Sequence, residues 1–208
     1  SRHINFGTSE HITNAKATTL TASIKEVQRI YLLRGFKVTN IIMDNQFEVI
    51  RGELASLQIT LITCGANSHI GDIERFIRVI KERARGIYNT LPFNKLPGRM
   101  IIELIHLTVF WLNALGNSIS GDLSPRTIMT GQTVNYRRHC RLELGEYVHT
   151  HEDHDNSMQS RTTGAITLRP TGNEQGSYYF LSLSTGRRLN RDHWTSLPLP
   201  QDVIERVH

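Results

Sequence analysis

The chain has 208 residues, enough for one moderate domain or a core domain with a small appendage. Hydrophobic residues at 38% and charged residues at 21% exclude a disordered tail. The net charge of +5 is uneven: residues 1–115 hold 14 Lys and Arg against 9 Asp and Glu, and residues 116–208 hold 10 against 10, so a polyanionic partner is favoured for the first stretch.

Residues 4–12 read as a strand and turn. Thr18 or Thr19 is placed to cap a helix in which Leu20, Ile24, Val27 and Tyr31 recur at helical spacing, and Gly35 is placed to end it. Val38, Ile41, Ile42 and Met43 then predict a buried strand over 36–43, followed by a short helix over 47–57 and a strand over 59–62. A long helix is predicted over 73–89. Its apolar stripe is Ile73, Phe76, Ile77, Ile80, Ala84, Ile87 and Tyr88, and Glu74, Arg78, Lys81 and Arg85 share an adjacent ridge.

Residues 100–115 are the most apolar segment, but they are too few to span a bilayer and include Glu103 and His106. A buried helix is expected there, with no membrane partner. Residues 117–135 are rich in Gly, Ser, Thr and Pro and read as a connection. Short strands follow over 142–149, 165–169 and 178–183, and Ser184-Thr185-Gly186 makes a hairpin turn before 187–194. The expected organisation is an α/β core over 1–115, a linker over 116–141 and a small β-barrel or β-sheet domain over 142–208. Cys64 and Cys140 supply neither a disulfide framework nor a cysteine zinc site, and the opening residues are not expected to be a signal peptide.

Two carboxylates stand out. Asp44 ends an apolar strand, where α/β sheets place their ligands, although Asp44-Asn45 also suits the start of a turn. Glu74 lies in the first turn of the long helix, where the macrodipole alone favours an acid and Asp72 is a suitable cap. Together they can share a divalent metal, with Arg75, Arg78, Lys81 and Arg85 tracking phosphates beside it; the same cations also read as a solvated helix face. A rival constellation is His149-Thr150-His151-Glu152-Asp153-His154, which matches the ligand pattern of metallo-β-lactamase-type zinc hydrolases. Only His193 and His208 follow it, and the preceding elements do not look like half of such a hydrolase, so a polar loop leaving a strand is the favoured reading.

Five pieces then occur in order: Ile42-Met43-Asp44-Asn45-Gln46-Phe47-Glu48, Gly71-Asp72-Ile73-Glu74-Arg75 with Arg78, Trp111-Leu112-Asn113, Leu123-Ser124-Pro125-Arg126 to Thr130-Gly131, and Gly164-Ala165-Ile166. On these the chain resembles the integrase region of copia-type long-terminal-repeat retrotransposon polyproteins. The resemblance implies a retroviral-integrase-like, ribonuclease-H-like core and dependence on Mg²⁺ or Mn²⁺. It also implies an Asp-Asp-Glu triad, in which Asp44 matches the second acid and Glu74 the third. In that scheme two metal ions about 3.5–4 Å apart clamp the attacking and leaving oxygens during 3′-end processing and strand transfer.

The implied partners are DNA, both element ends and target, and further copies of the chain in a homo-oligomer. The implied location is the nucleus or a virus-like particle. Nothing before Asp44 matches the family's first Asp. The chain opens at Ser1-Arg2-His3 without Met and is expected to be a fragment with little strand-transfer activity of its own. The spacing of 29 residues between the acids is shorter than in related integrases, and Asp44-Asn45-Gln46-Phe47-Glu48 departs from the usual Asp-Asn-Gly-Gly-Glu. A catalytically dead DNA-binding module is the alternative the same residues allow.

Overall fold

The computed structural model of the chain describes residues 4–64, 71–116, 122–152, 156–158 and 160–207, with the backbone but not the side chain of Asp72. In chain order the elements are α1 (Ala17–Leu32), β1 (Asn40–Asp44), a 3₁₀ helix (Asn45–Ile50), α2 (Arg51–Ser56), β2 (Thr60–Cys64), α3 (Gly71–Tyr88) and α4 (Gly98–Ala114). They continue with α5 (Pro125–Thr130), α6 (Tyr136–His139), β3 (Tyr147–His151), β4 (Thr162–Pro170), β5 (Tyr178–Ser182), β6 (Arg188–Arg191), β7 (Trp194–Ser196) and α7 (Gln201–Arg206). The class is mixed α/β with a C-terminal antiparallel sheet, as the sequence predicts. The chain groups into one unit of residues 1–79 and 115–132 and another of residues 80–114 and 133–208, the division falling inside α3.

In the first unit β1 and β2 pair in parallel, from Asn40 opposite Thr60 to Asp44 opposite Cys64. Period-2 alternation turns Ile41, Met43 and Leu61 toward a cluster of Leu20 and Ile24 from α1, Ile50 and Leu54 from the 3₁₀ helix and α2, and Ile59. Each buried Leu or Ile there stabilises by about 1.5–3 kcal/mol relative to an exposed one. The opposite face differs from the buried strand that the apolar run predicts. Ile42 and Ile62, paired directly, are 39% and 45% exposed, on the face turned away from that cluster. Helix α1 starts at Ala17, ahead of the expected threonine cap, since Asn14 Oδ1 accepts from the Lys16 N–H at 3.0 Å and the Thr19 hydroxyl at 2.9 Å.

Residues 4–12 form no strand, and Asn5 has a positive φ of 57°. The segment is held by side chains instead. Phe6 meets Tyr31 edge-on at 6.3 Å, and Gly7 lies so close to Phe76 that an added Cβ would sit 2.2 Å from its ring. The stretch read as a bare connection contains α5. Ser124 caps it by accepting from the Thr127 N–H at 3.1 Å, Pro125 occupies its first turn, and Gly131 ends it at φ 75°.

In the second unit the antiparallel strands run in the order β6-β5-β4-β3-β7, an open sheet with β6 and β7 at its edges. Met100, Leu104 and Leu107 of α4 pack with Ile166 and Leu168 of β4, Leu181 of β5, and Val203 and Val207 at the end of the chain. A second cluster joins Leu142, Val148, Ala165, Tyr178 and Phe180, with Trp194 against it. The apolar stripe of α3 is less buried than its periodicity predicts: Ala84 is buried, but Ile73 and Ile77 are exposed. Amphipathic spacing specifies a face and leaves its partner unspecified. Among the described residues, no helix is long and apolar enough to cross a membrane.

Candidate metal and nucleic-acid site

Asp44 is exposed at the carboxyl end of β1. Its Oδ1 accepts from the Asn45 N–H at 2.7 Å and so caps the 3₁₀ helix, which makes it a turn-starting residue as well as a strand-ending one. Because β1 and β2 are parallel, β2 ends at the same edge, at Cys64. Residues 65–70 lie outside the described residues. Gly71 then opens α3 and puts Glu74 in its first turn, with the donor-rich positive end of the helix. Asp44 thus sits at the carboxyl edge of the parallel pair, and Glu74 on the helix that follows β2 in chain order.

A cavity of about 320 Å³ opens at the start of α3, lined by Gly71, Glu74, Arg75 and Arg78. Arg78 meets both Glu74 and Arg75 there because residues three and four apart lie on one face across successive helical turns. Asp44 does not line this cavity. Lys81 and Arg85 continue the ridge along α3 at the spacing the sequence predicts, and Arg75, Arg78, Lys81 and Arg85 are all exposed. The Asp72 side chain, expected as a cap, lies outside the described residues.

Hard carboxylate oxygens suit Mg²⁺ or Mn²⁺, and Mg²⁺ is ordinarily held by one or two carboxylates with water completing its shell. Asp44 and Glu74 fit that donor chemistry. Among the described residues no three His, Cys, Asp or Glu side chains are grouped to hold a metal ion.

The described members of the histidine constellation have hydrogen-bond partners of their own. His149 has Nε2 at 2.8 Å from the Tyr147 hydroxyl and Nδ1 at 3.3 Å from that of Thr162, while His151 Nε2 lies 3.2 Å from the Thr195 hydroxyl. Glu152 accepts from Thr150 at 3.1 Å and pairs with Arg191. Asp153 and His154 lie outside the described residues.

Sequence reasoning missed two side-chain groups. One is the buried carboxylate of Glu103 with Arg169 and Arg188, signalled only by an acid inside an apolar segment. The other is Tyr136 stacked on Trp111, for which no local signal exists.

A two-stranded parallel sheet packed on helices, with Asp44 at its carboxyl edge, and a separate cavity lined by Glu74, Arg75 and Arg78 on a basic helix describe an α/β protein with two candidate ion-binding features. No protein-family model matches the chain, and no curated protein does. Among solved structures the chain is similar to the catalytic core domain of BIV integrase, with 19% identity, coverage of 62% of this chain and 81% of that one, and a TM-score of 0.45. It is also similar to a chain of the simian T-cell lymphotropic virus intasome in complex with PP2A regulatory subunit B56 gamma, with 11% identity, coverage of 93% and 69%, and a TM-score of 0.46.

Proposed function

We propose that this chain is part of a DNA-integrating polynucleotidyl transferase of the copia type, with a ribonuclease-H-like core in which Asp44 and Glu74 hold Mg²⁺ or Mn²⁺. The observation that carries the reading is the position of Asp44 at the end of a parallel strand, together with a cavity where Glu74 meets Arg75 and Arg78. When bound, the divalent ion supplies charge stabilisation for in-line displacement at phosphorus. Arg75 and Arg78 hold a phosphate beside Glu74, and Lys81 and Arg85 extend the contact along the DNA backbone. The DNA is both element end and target, and the working form is a homo-oligomer.

Mn²⁺ binding to the 208-residue chain, followed by electron paramagnetic resonance, tests the assignment. Asp44→Asn and Glu74→Gln are each expected to weaken binding by about tenfold or more, whereas Lys25→Ala leaves it unchanged. A Mn²⁺ affinity indifferent to both carboxylates overturns the metal site. If DNA binding persists in that case, the chain is a catalytically dead DNA-binding module.

A further inference from the structure

We propose that Tyr136, backed by Trp111 and followed by Arg137, is a stacking platform for an unpaired base of single-stranded nucleic acid. The platform belongs to the second unit and does not rest on the metal reading of Asp44 and Glu74.

Tyr136 is 52% exposed, yet its ring is not loose. It stacks on Trp111 with centroids 6.3 Å apart and planes 12° from parallel. Trp111 in turn meets Phe110 edge-on at 5.1 Å and packs against the buried cluster of α4 and the sheet. An aromatic ring with a fixed apolar backing and a solvent side is thereby presented.

Helix α6 has only four residues and has too few internal hydrogen bonds to hold itself. It is held from outside. His139 is buried, with Nδ1 at 2.8 Å from the Asn135 carbonyl and Nε2 at 2.9 Å from the Asn173 carbonyl. Arg138 donates to the Glu174 carbonyl, and the Tyr178 hydroxyl donates to the Arg138 carbonyl at 3.4 Å. A Cβ on Gly176 would lie 3.1 Å from that of Arg138, so the turn presses directly on α6. A ring set on so constrained a support loses little conformational freedom on binding.

The sequence on either side of it carries one sign of charge. Residues 133–142 contain Arg137, Arg138 and Arg141 and no Asp or Glu. Arg138 is committed to Glu174, and Arg141 lies over the Trp194 ring at 4.6 Å. Arg137 is exposed and bonds none of the described residues. An exposed aromatic face beside an uncommitted cation is the pairing by which proteins hold single strands: the ring takes a base of any identity and the cation takes its phosphate. A duplex keeps its bases stacked on one another and offers the ring nothing.

The test titrates the whole chain against labelled single strands of about 12 nucleotides, one of deoxythymidine and one of uridine, an abasic deoxyribose-phosphate strand of equal length, and a duplex. Fluorescence anisotropy is the readout. Both base-bearing strands are expected to bind roughly 5- to 150-fold more tightly than the abasic strand. A difference between the deoxythymidine and uridine arms identifies DNA or RNA as the source. Tyr136→Phe keeps the preference for bases, and Tyr136→Leu, which retains apolar bulk on Trp111, abolishes it. Arg137→Ala weakens base-bearing and abasic strands alike. Asp44→Asn leaves the preference intact, which separates this site from the metal reading. Equal affinity of the wild-type chain for base-bearing and abasic strands overturns the proposal, as does a preference that survives in Tyr136→Leu.

Discussion

Glu103 of α4 and Arg169 of β4 meet at 2.6 Å, Oε2 accepting from Nε, where only 2% of Glu103 is exposed. Arg188 of β6 donates to the other carboxylate oxygen at 2.8 Å, and both guanidinium groups lie over the Tyr179 ring, at 4.6 and 4.4 Å. One buried acid therefore joins the helix to two strands. Removing one partner of such a buried pair leaves the other charge uncompensated and costs about 3–5 kcal/mol. Glu103→Ala is expected to lower the urea midpoint accordingly, with Arg188→Ala costing less because that side chain is partly solvated. A Glu103→Ala chain that unfolds at the wild-type midpoint contradicts this.

The same carboxylate sets a pH dependence. Burial pulls the Glu103 carboxyl up, but the hydrogen bonds and charges of Arg188 and Arg169 outweigh burial and hold it below the ordinary carboxylate range. A group whose folded-state value is depressed contributes stability that is complete above its unfolded value and is lost as pH falls through the folded one. The stability difference between wild type and Glu103→Gln is therefore expected to stay constant above about pH 5 and to shrink below about pH 4. Melting temperatures of the two chains against pH measure it. A difference that grows toward low pH reverses the sign and refutes the assignment.

Much of this arrangement was legible, and the reasons differ by element. Ile41 and Met43 announce a strand through their own chemistry, and Asp44-Asn45 announces its end, because strand propensity and turn capping are local. Glu74, Arg75 and Arg78 meet for an equally local reason, the spacing of residues along one helix. Partners distant in sequence were not legible. Glu103 finds its arginines 66 and 85 residues later, and no periodicity in 100–115 points to them. The exposure of Ile73 and Ile77 was hidden for the same reason. Helix α5 carries a local signal of its own, since Ser124-Pro125 before Thr127 is a capping pattern inside a polar stretch. Asp44 and Glu74 lie on separate elements, and no local signal at either one encodes their relation.

Arg34 and Gly131 supply a coupling test in the first unit. Arg34 Nε donates to the Met129 carbonyl at 3.2 Å, and its guanidinium lies where a Cβ on Gly131 would be, 1.9 Å away. Gly131 also has φ 75°, which costs a side-chain-bearing residue about 1–2 kcal/mol. Gly131→Ala is expected to pay both the backbone strain and the displaced arginine. In an Arg34→Ala background it pays the strain alone, so a double-mutant cycle in urea returns a coupling of about 0.5–3 kcal/mol. Additive effects indicate that Arg34 does not rest on that glycine.

The ridge on α3 predicts how DNA binding responds to salt. Each phosphate neutralised by a cation releases condensed counterions, so the logarithm of affinity falls with the logarithm of salt concentration by about 0.9 per contact. Replacing Arg75, Arg78, Lys81 and Arg85 with alanine is expected to flatten that slope by roughly 3–4 on duplex DNA. Lys25→Ala removes an exposed cation of α1 and leaves the slope unchanged. The comparison matters because loss of net charge anywhere weakens binding to a polyanion at low salt, whereas only lost phosphate contacts change the slope. A variant of the ridge that binds more weakly on an unaltered slope shows that α3 contributes to the general field and touches no phosphate.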